Sequence, residues 1–258
     1  MRVLLTNDDG VYAPGLYEMA KLMSERDDVD ATVVAPDREQ SATGHAITVH
    51  KPLRINQIKK LSEQFDIPVY SVNGTPSDCV KLAIEALMDE KPDLVISGIN
   101  RGANLGTDVL YSGTVSGAME AAILGVKAIA TSLVDYDYED YSAAAIYTAF
   151  IGDKVLAHPD TFPTGTLLNV NVPGGTTENI KGVKVTRLGF RQYENLFEKR
   201  WDPRGKAYYW MAGRVIEDTT DKETDVGCVN DQLVSVTPIK YDLTNYGLYK
   251  NMTDSMFE

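Results

Sequence analysis

Short apolar runs alternate with amphipathic helix patterns from the start of this chain, and that alternation restricts the fold more than any other feature. Val3-Leu4-Leu5 is β-prone and runs into Thr6-Asn7-Asp8-Asp9-Gly10. Pro14 opens a helical pattern over residues 13–25, with Leu16, Met19, Ala20 and Met23 on one stripe. Ala31-Thr32-Val33-Val34-Ala35 is a second apolar strand, stopped by Pro36. Strand, helix and strand in this order start a parallel sheet. In such sheets ligands bind beyond the carboxyl ends of the strands. The first strand therefore delivers two adjacent carboxylates, Asp8 and Asp9, to the end where ligands sit. Adjacent acids repel each other, and a divalent cation offsets that cost.

The alternation continues. Residues 48–72 read as weak strands around Val49, Leu53 and Ile55, then Val69, Tyr70 and Val72. Thr75-Pro76-Ser77-Asp78 is a helix start, with a capping hydroxyl, proline at the first position and an acid in the first turn. Val80, Ala83, Ile84 and Leu87 form its apolar stripe. Asp93-Leu94-Val95-Ile96-Ser97 is a buried strand that leads into Gly98-Ile99-Asn100. Residues 118–124 are helical, Ala128-Ile129-Ala130 begins a strand, and residues 142–156 form an alanine-rich helix. Leu167-Leu168-Asn169-Val170-Asn171-Val172 is a strand closed by Pro173, and residues 183–188 alternate as an edge strand does. From Tyr193 to Met211 the chain turns aromatic and charged, with Trp201, Tyr208, Tyr209 and Trp210, which reads as long hairpins and loops. Residues 218–225 read as a solvated charged loop.

With 258 residues, 43% of them hydrophobic, the chain can bury one α/β core with an appendage. Its formal net charge of -12 argues against binding nucleic-acid duplexes or an anionic membrane surface. Cys79 and Cys228 are far apart and outside any Cys-x-x-Cys pair, which fits reduced thiols. The N-terminus does not read as a signal peptide, and no apolar run approaches the roughly 18 residues of a membrane span, so a cytoplasmic location is expected. His45, His50 and His158 have no His-x-x-x-His spacing, which disfavours a zinc or two-histidine iron site. No Walker motif, no Gly-x-Ser-x-Gly elbow and no Gly-x-Gly-x-x-Gly after the first strand is present.

What remains is oxygen chemistry. Asp8 and Asp9 are hard donors suited to Mg²⁺, Mn²⁺ or Ca²⁺, although Asp-Asp-Gly is also good turn chemistry. The polar loop over residues 37–48 carries Ser41 and His45 and follows the second strand. Asn100 follows a buried strand directly, and its amide oxygen is a suitable neutral ligand. Ser112-Gly113-Thr114 opens a helix, where free N–H groups, the dipole and two hydroxyls attract an anion, with Asn104 as a further donor. The residues point to a metal-assisted reaction on a phosphate-bearing small molecule.

Residues 3–10, the stretch Val34-Ala35-Pro36-Asp37-Arg38-Glu39-Gln40-Ser41, the stretch Asn73-Gly74-Thr75-Pro76-Ser77-Asp78-Cys79, and the block from Pro92 through Asn100 and Asn104 to Thr114 together resemble the SurE survival-protein nucleotidases. Asp202-Pro203-Arg204-Gly205 with Tyr209-Trp210, and Val234-Ser235-Val236-Thr237-Pro238, extend the resemblance over nearly the full length. It implies a Rossmann-like, mostly parallel sheet with helices on both faces, plus C-terminal hairpin elements used for oligomerisation. It also implies hydrolysis of nucleoside 5'-monophosphates, of 3'-monophosphates and of short polyphosphate, with one divalent cation, Mg²⁺ or Mn²⁺, per subunit. The family's metal ligands fall on Asp8, Asp9, Ser41 and Asn100, and its phosphate-holding residues on Asn104, Ser112, Gly113 and Thr114. Ala42-Thr43 stands where the family more often has Gly-Ala.

The expectation is therefore a metal- and phosphate-binding domain over residues 1–190 and a hairpin region over 191–258 that packs with it and joins a homodimer or homotetramer. A water activated by the cation attacks phosphorus, and Asp8 is the less favoured nucleophile, because acids committed to a cation attack poorly. A nucleotide-binding regulator with vestigial chemistry is the rival from another class. A haloacid-dehalogenase-type phosphatase is disfavoured because its acids are spaced Asp-x-Asp.

Overall fold

The computed structural model describes residues 1–194 and 197–255. In chain order the first half runs β1 (Arg2–Thr6), α1 (Pro14–Ser24), β2 (Asp30–Pro36), β3 (Ile55–Gln57), α2 (Lys59–Phe65), β4 (Val69–Val72), α3 (Pro76–Leu82), β5 (Leu94–Arg101) and α4 (Gly113–Ile123). The second half runs β6 (Lys127–Leu133), α5 (Ser142–Ala157), β7 (Thr166–Val172), β8 (Val183–Val185), β9 (Arg191–Glu194), β10 (Phe197–Trp201), β11 (Ala207–Met211), β12 (Arg214–Glu217), α6 (Asp225–Asn230), β13 (Val234–Lys240) and α7 (Tyr246–Ser255).

Among the described residues the main sheet has nine strands in the order β3-β4-β2-β1-β5-β6-β7-β13-β8. The run from β4 through β2, β1, β5 and β6 to β7 is parallel throughout. Antiparallel β3 closes one side, and β13 lies antiparallel against β7 with β8 at the far edge. Successive side chains of a strand face opposite ways, so Val3 and Leu5 enter the core under α1 and α5 while Leu4 enters the core under α3 and α4. Both faces of β1 are covered, as its unbroken apolar run requires. Proline opens α1, and Leu16, Met19, Ala20 and Met23 are buried. A reciprocal capping box between Thr75 and Asp78 starts α3.

The sequence expectation needs correction at four places. Residues 48–72 are not strands alone, because α2 lies between β3 and β4. Ile58, Leu61 and Phe65 pack on the core at helical spacing, Phe65 edge-on to Tyr17, within a charged surface that masks the pattern. Strand β5 runs on past Ser97 to Arg101, so Asn100 lies within the strand and does not follow it. The edge strand β8 ends at Val185. The charged loop over 218–225 ends in Asp225, which is fully buried as the first residue of α6.

The C-terminal stretch divides in two. β9 pairs with β12 and β10 with β11, so these four strands form two antiparallel ribbons, the arm. The chain then returns, and β13 enters the main sheet between β7 and β8. No helix among the described residues is long and apolar enough to cross a membrane.

Candidate active site

The carboxyl ends of β1, β2 and β5 meet in one place. Beyond β1, the Asn7 side chain closes a turn, accepting from the Gly10 N–H at 3.2 Å and donating to the Gly10 carbonyl at 3.0 Å. Asp8 and Asp9 sit inside that turn. The Asp8 carbonyl accepts from the Gln40 N–H at 2.7 Å, which lays the loop after β2 beside β1. The Asp9 carboxylate accepts from the Arg101 N–H at 3.2 Å, which brings the end of β5 to the same point.

Helix α4 points its N-terminus at Asp8. The Thr114 hydroxyl donates to Asp8 Oδ1. A Cβ on Gly113 would lie 2.8 Å from Asp8 Cβ and 2.9 Å from Oδ2, so only glycine lets the helix seat this closely. Ser112 caps the helix, its hydroxyl accepting from the Val115 N–H at 3.1 Å.

Burial pushes the Asp8 carboxyl from its usual 3.8 up to about 6, against the Thr114 hydrogen bond and with the Asp9 charge adding to the rise. Asp9 is raised in the same way, first by burial, against the Arg101 backbone hydrogen bond, with the Glu39 charge adding. Among the described residues no lysine, arginine or histidine forms an ion pair with either acid. A buried and a half-buried carboxylate, neither held in an ion pair, next to hydroxyl and amide oxygens, are a donor set that fits a hard divalent cation. Among the described residues no cluster of three or more His, Cys, Asp or Glu offers a metal site, so neutral oxygens have to complete this one.

The expected ligands are unequally disposed. Asn100 is half-buried and donates Nδ2 to the Gly102 carbonyl at 2.8 Å, which leaves its amide oxygen as the acceptor for a ligand. Ser41 is exposed next to Gln40, and its hydroxyl donates to Glu39 Oε1 at 2.7 Å. Asn104 is buried with Nδ2 on Ser132 Oγ at 2.7 Å, facing Ser132 and not Asp8. Asp8, Gly113 and Thr114 are thus in direct contact, Ser41 and Asn100 adjoin in sequence the residues whose N–H groups bind Asp8 and Asp9, and Asn104 is bonded to Ser132.

Two residues that sequence reasoning passed over hold Asn104. Asn169 and Asn171 of β7 donate to its carbonyl at 2.8 and 3.0 Å, and Asn171 Oδ1 accepts its N–H at 2.9 Å. Their sequence signal is a pair of asparagines two apart, on one face of an otherwise apolar strand. His45 is directed elsewhere, its Nε2 lying 2.8 Å from Glu120 Oε2 on α4. Lys81 Nζ reaches the other Glu120 oxygen at 3.3 Å, and the His45 hydrogen bond leads in holding Glu120 below its usual value.

A family model described as Survival protein SurE matches residues 3–195. The chain is 72% identical over 258 residues to a protein named 5'-nucleotidase SurE from Natranaerobius thermophilus, with the whole of both chains aligned. A protein of the same name from Heliobacterium modesticaldum is 52% identical, over 98% of this chain and 91% of its own length. The crystal structure of the SurE protein from Aquifex aeolicus superposes with a TM-score of 0.83 at 42% identity, covering 98% of this chain and 99% of that one.

Proposed function

This chain belongs to the SurE family, and on that premise we propose that it is a 5'-nucleotidase, a phosphatase that needs a divalent cation and releases nucleoside and phosphate from nucleoside monophosphates. The observation that carries the reading is the adjacent pair Asp8–Asp9, neither in an ion pair, with buried Asp8 against the N-terminus of α4. Asp8, Asp9, Ser41 and Asn100 would hold one Mg²⁺ or Mn²⁺. That cation supplies charge neutralisation at the phosphoryl group and lowers the pKa of water.

The rest of the work falls to the chain. The N–H groups of the first turn of α4, with the Ser112 and Thr114 hydroxyls, bind the phosphoryl oxygens and stabilise the charge that grows on them. The Thr114 hydroxyl gives its one proton to Asp8 in this structure, and would be free to turn to a phosphoryl oxygen once a cation took over that carboxylate oxygen. Asn104 supports the cradle from behind, held by Asn169 and Asn171. The Asp8 carboxylate already accepts a hydrogen bond and has a cation to hold, so water is the nucleophile. Hydroxylamine or borohydride added during turnover should trap no aspartyl-phosphate on Asp8.

Hydrolysis of 3'-monophosphates and short polyphosphate belongs to the same proposal, as does action in the cytoplasm. The arm is the proposed contact between copies, in a homodimer or homotetramer. Phe197, Trp201, Trp210 and Met211 are each at least 60% exposed on it, an apolar load that a second copy would cover. Phosphate release from AMP and GMP, measured with Mn²⁺, with Mg²⁺ and in EDTA, tests the activity. Release that persists in EDTA removes the metal from the reading. Binding of nucleotide without release under any of these conditions favours a regulator.

A further inference from the structure

The loop between β5 and α4 carries Asn104 and delivers Ser112 to the site; Leu105 and Val109 pack it into the core, and its outer side is open. Gly102, Ala103, Leu105 and Asp108 border a cavity of about 450 Å³ whose walls include Arg191 and Tyr193. On that open side polar contacts with the root of the arm hold the loop. Asp108 Oδ2 accepts from Arg191 Nη1 at 2.8 Å and from the Tyr193 hydroxyl at 2.8 Å. The Thr107 hydroxyl donates to the Arg191 carbonyl at 2.6 Å. Below them Asp225 accepts from the Gly106 N–H at 2.8 Å and from the Gly189 N–H at 2.7 Å, bridging the loop and the arm. Gly106 adopts φ +52°, and a Cβ there would stand 2.8 Å from the Gly189 carbonyl oxygen.

The other end of Asp108 leads to the cradle. Its carbonyl accepts from the Tyr111 N–H at 3.0 Å and from the Ser112 N–H at 3.1 Å. One residue therefore grips the arm with its side chain and the helix cap with its backbone. The ion pair is largely shielded, with the Asp108 and Arg191 side chains 15% and 16% exposed.

We infer that Asp108 is a positioning residue, which fixes the Ser112–Thr114 cradle to β9 through Arg191 and Tyr193, so that phosphate affinity at the cradle depends on the root of the arm. The inference rests on the phosphatase reading above for the identity of the anion. Displacing the cap by a fraction of an ångström should weaken every contact that the first turn of α4 makes to a phosphoryl group. The helix itself should survive, because Ser112 still caps it.

The test compares wild type with Asp108→Ala, Asp108→Asn, Arg191→Ala and Tyr193→Phe in the Mn²⁺-loaded protein. Inorganic phosphate is titrated by calorimetry, the KM and kcat for AMP are measured, and melting temperature is recorded. Asp108→Ala should weaken phosphate binding and raise KM about tenfold with a smaller change in kcat. Asp108→Asn, which keeps an oxygen acceptor, should recover most of the loss. Arg191→Ala and Asp108→Ala should be non-additive in the double variant. A purely structural role would lower the melting temperature and the active fraction, and leave KM and phosphate affinity unchanged. That result overturns the inference. Should Asp108→Ala fail to fold, Tyr193→Phe removes a single hydrogen bond and is read in the same way, with a two- to threefold loss, roughly the size of one net hydrogen bond, expected. A wild type that binds phosphate but does not hydrolyse AMP overturns the phosphatase reading alone, since the calorimetry does not depend on turnover.

Discussion

Replacing Asp8 with asparagine should make the metal-free protein more stable while abolishing phosphate release. The Asp8 carboxyl is raised from 3.8 to about 6, chiefly by burial. At about 1.4 kcal/mol per pKa unit, an ionised Asp8 costs the folded state on the order of 3 kcal/mol at neutral pH. Asparagine keeps the volume and an oxygen to accept from Thr114, but carries no charge. Since the folded value lies above the unfolded one, the folded protein holds the extra proton between about pH 4 and pH 6. The cost is absent below that window, grows through it and is complete above it. In EDTA at pH 7 the variant should therefore melt roughly 6–12 °C higher than wild type, from about 2–4 °C per kcal/mol for a domain of this size. At pH 4 the two should melt together. Mn²⁺ should close the gap and, at a thousandfold excess over Kd, reverse the order, adding about 4.1 kcal/mol to wild type and little to the variant. Calorimetric melting across pH, with and without Mn²⁺, is the assay. A metal-free variant that melts at or below wild type at every pH would refute the reasoning.

Asp8→Asn and Asp9→Asn should each lower turnover on AMP by several powers of ten with the far-UV spectrum unchanged, and full activity in either would exclude the metal site described here. Gly113→Ala places a methyl 2.8 Å from Asp8 Cβ, so the carboxylate must move, and kcat/KM should fall about a hundredfold, as steady-state kinetics will show. Glu120→Gln should flatten the acid limb of stability. The Glu120 carboxyl is held below its usual 4.5 by His45 and then Lys81, so it contributes stability above that value and loses it as pH falls through its folded value. Urea unfolding at several pH values checks this, and an unchanged acid limb counts against it. Trp201→Ser with Trp210→Ser, both on the exposed arm, should lower the molar mass measured by light scattering, and a wild type that is already monomeric at micromolar concentration sinks the oligomer proposal.

The sequence by itself determined the local chemistry. The run Val3-Leu4-Leu5 is buried on both faces because a strand without polar alternation has no solvent side. Pro14 and the Thr75–Asp78 box marked helix starts because backbone N–H groups there need a partner or none at all. Asp8 and Asp9 were legible as a strand-end pair for the same reason: strand, turn and helix cap are encoded within a few residues. The tertiary structure decided which distant groups meet. Thr114 reaches Asp8 across 106 positions, and Asp225 reaches Gly106 across 119, spacings that no periodicity encodes. β13 enters the sheet because β7 offers it a free edge, not because its own pattern differs from that of a hairpin strand. The rise of the Asp8 carboxyl is likewise a property of the assembled protein, since desolvation is imposed by every element packed around it, and an isolated Asp-Asp-Gly turn would leave both acids in water.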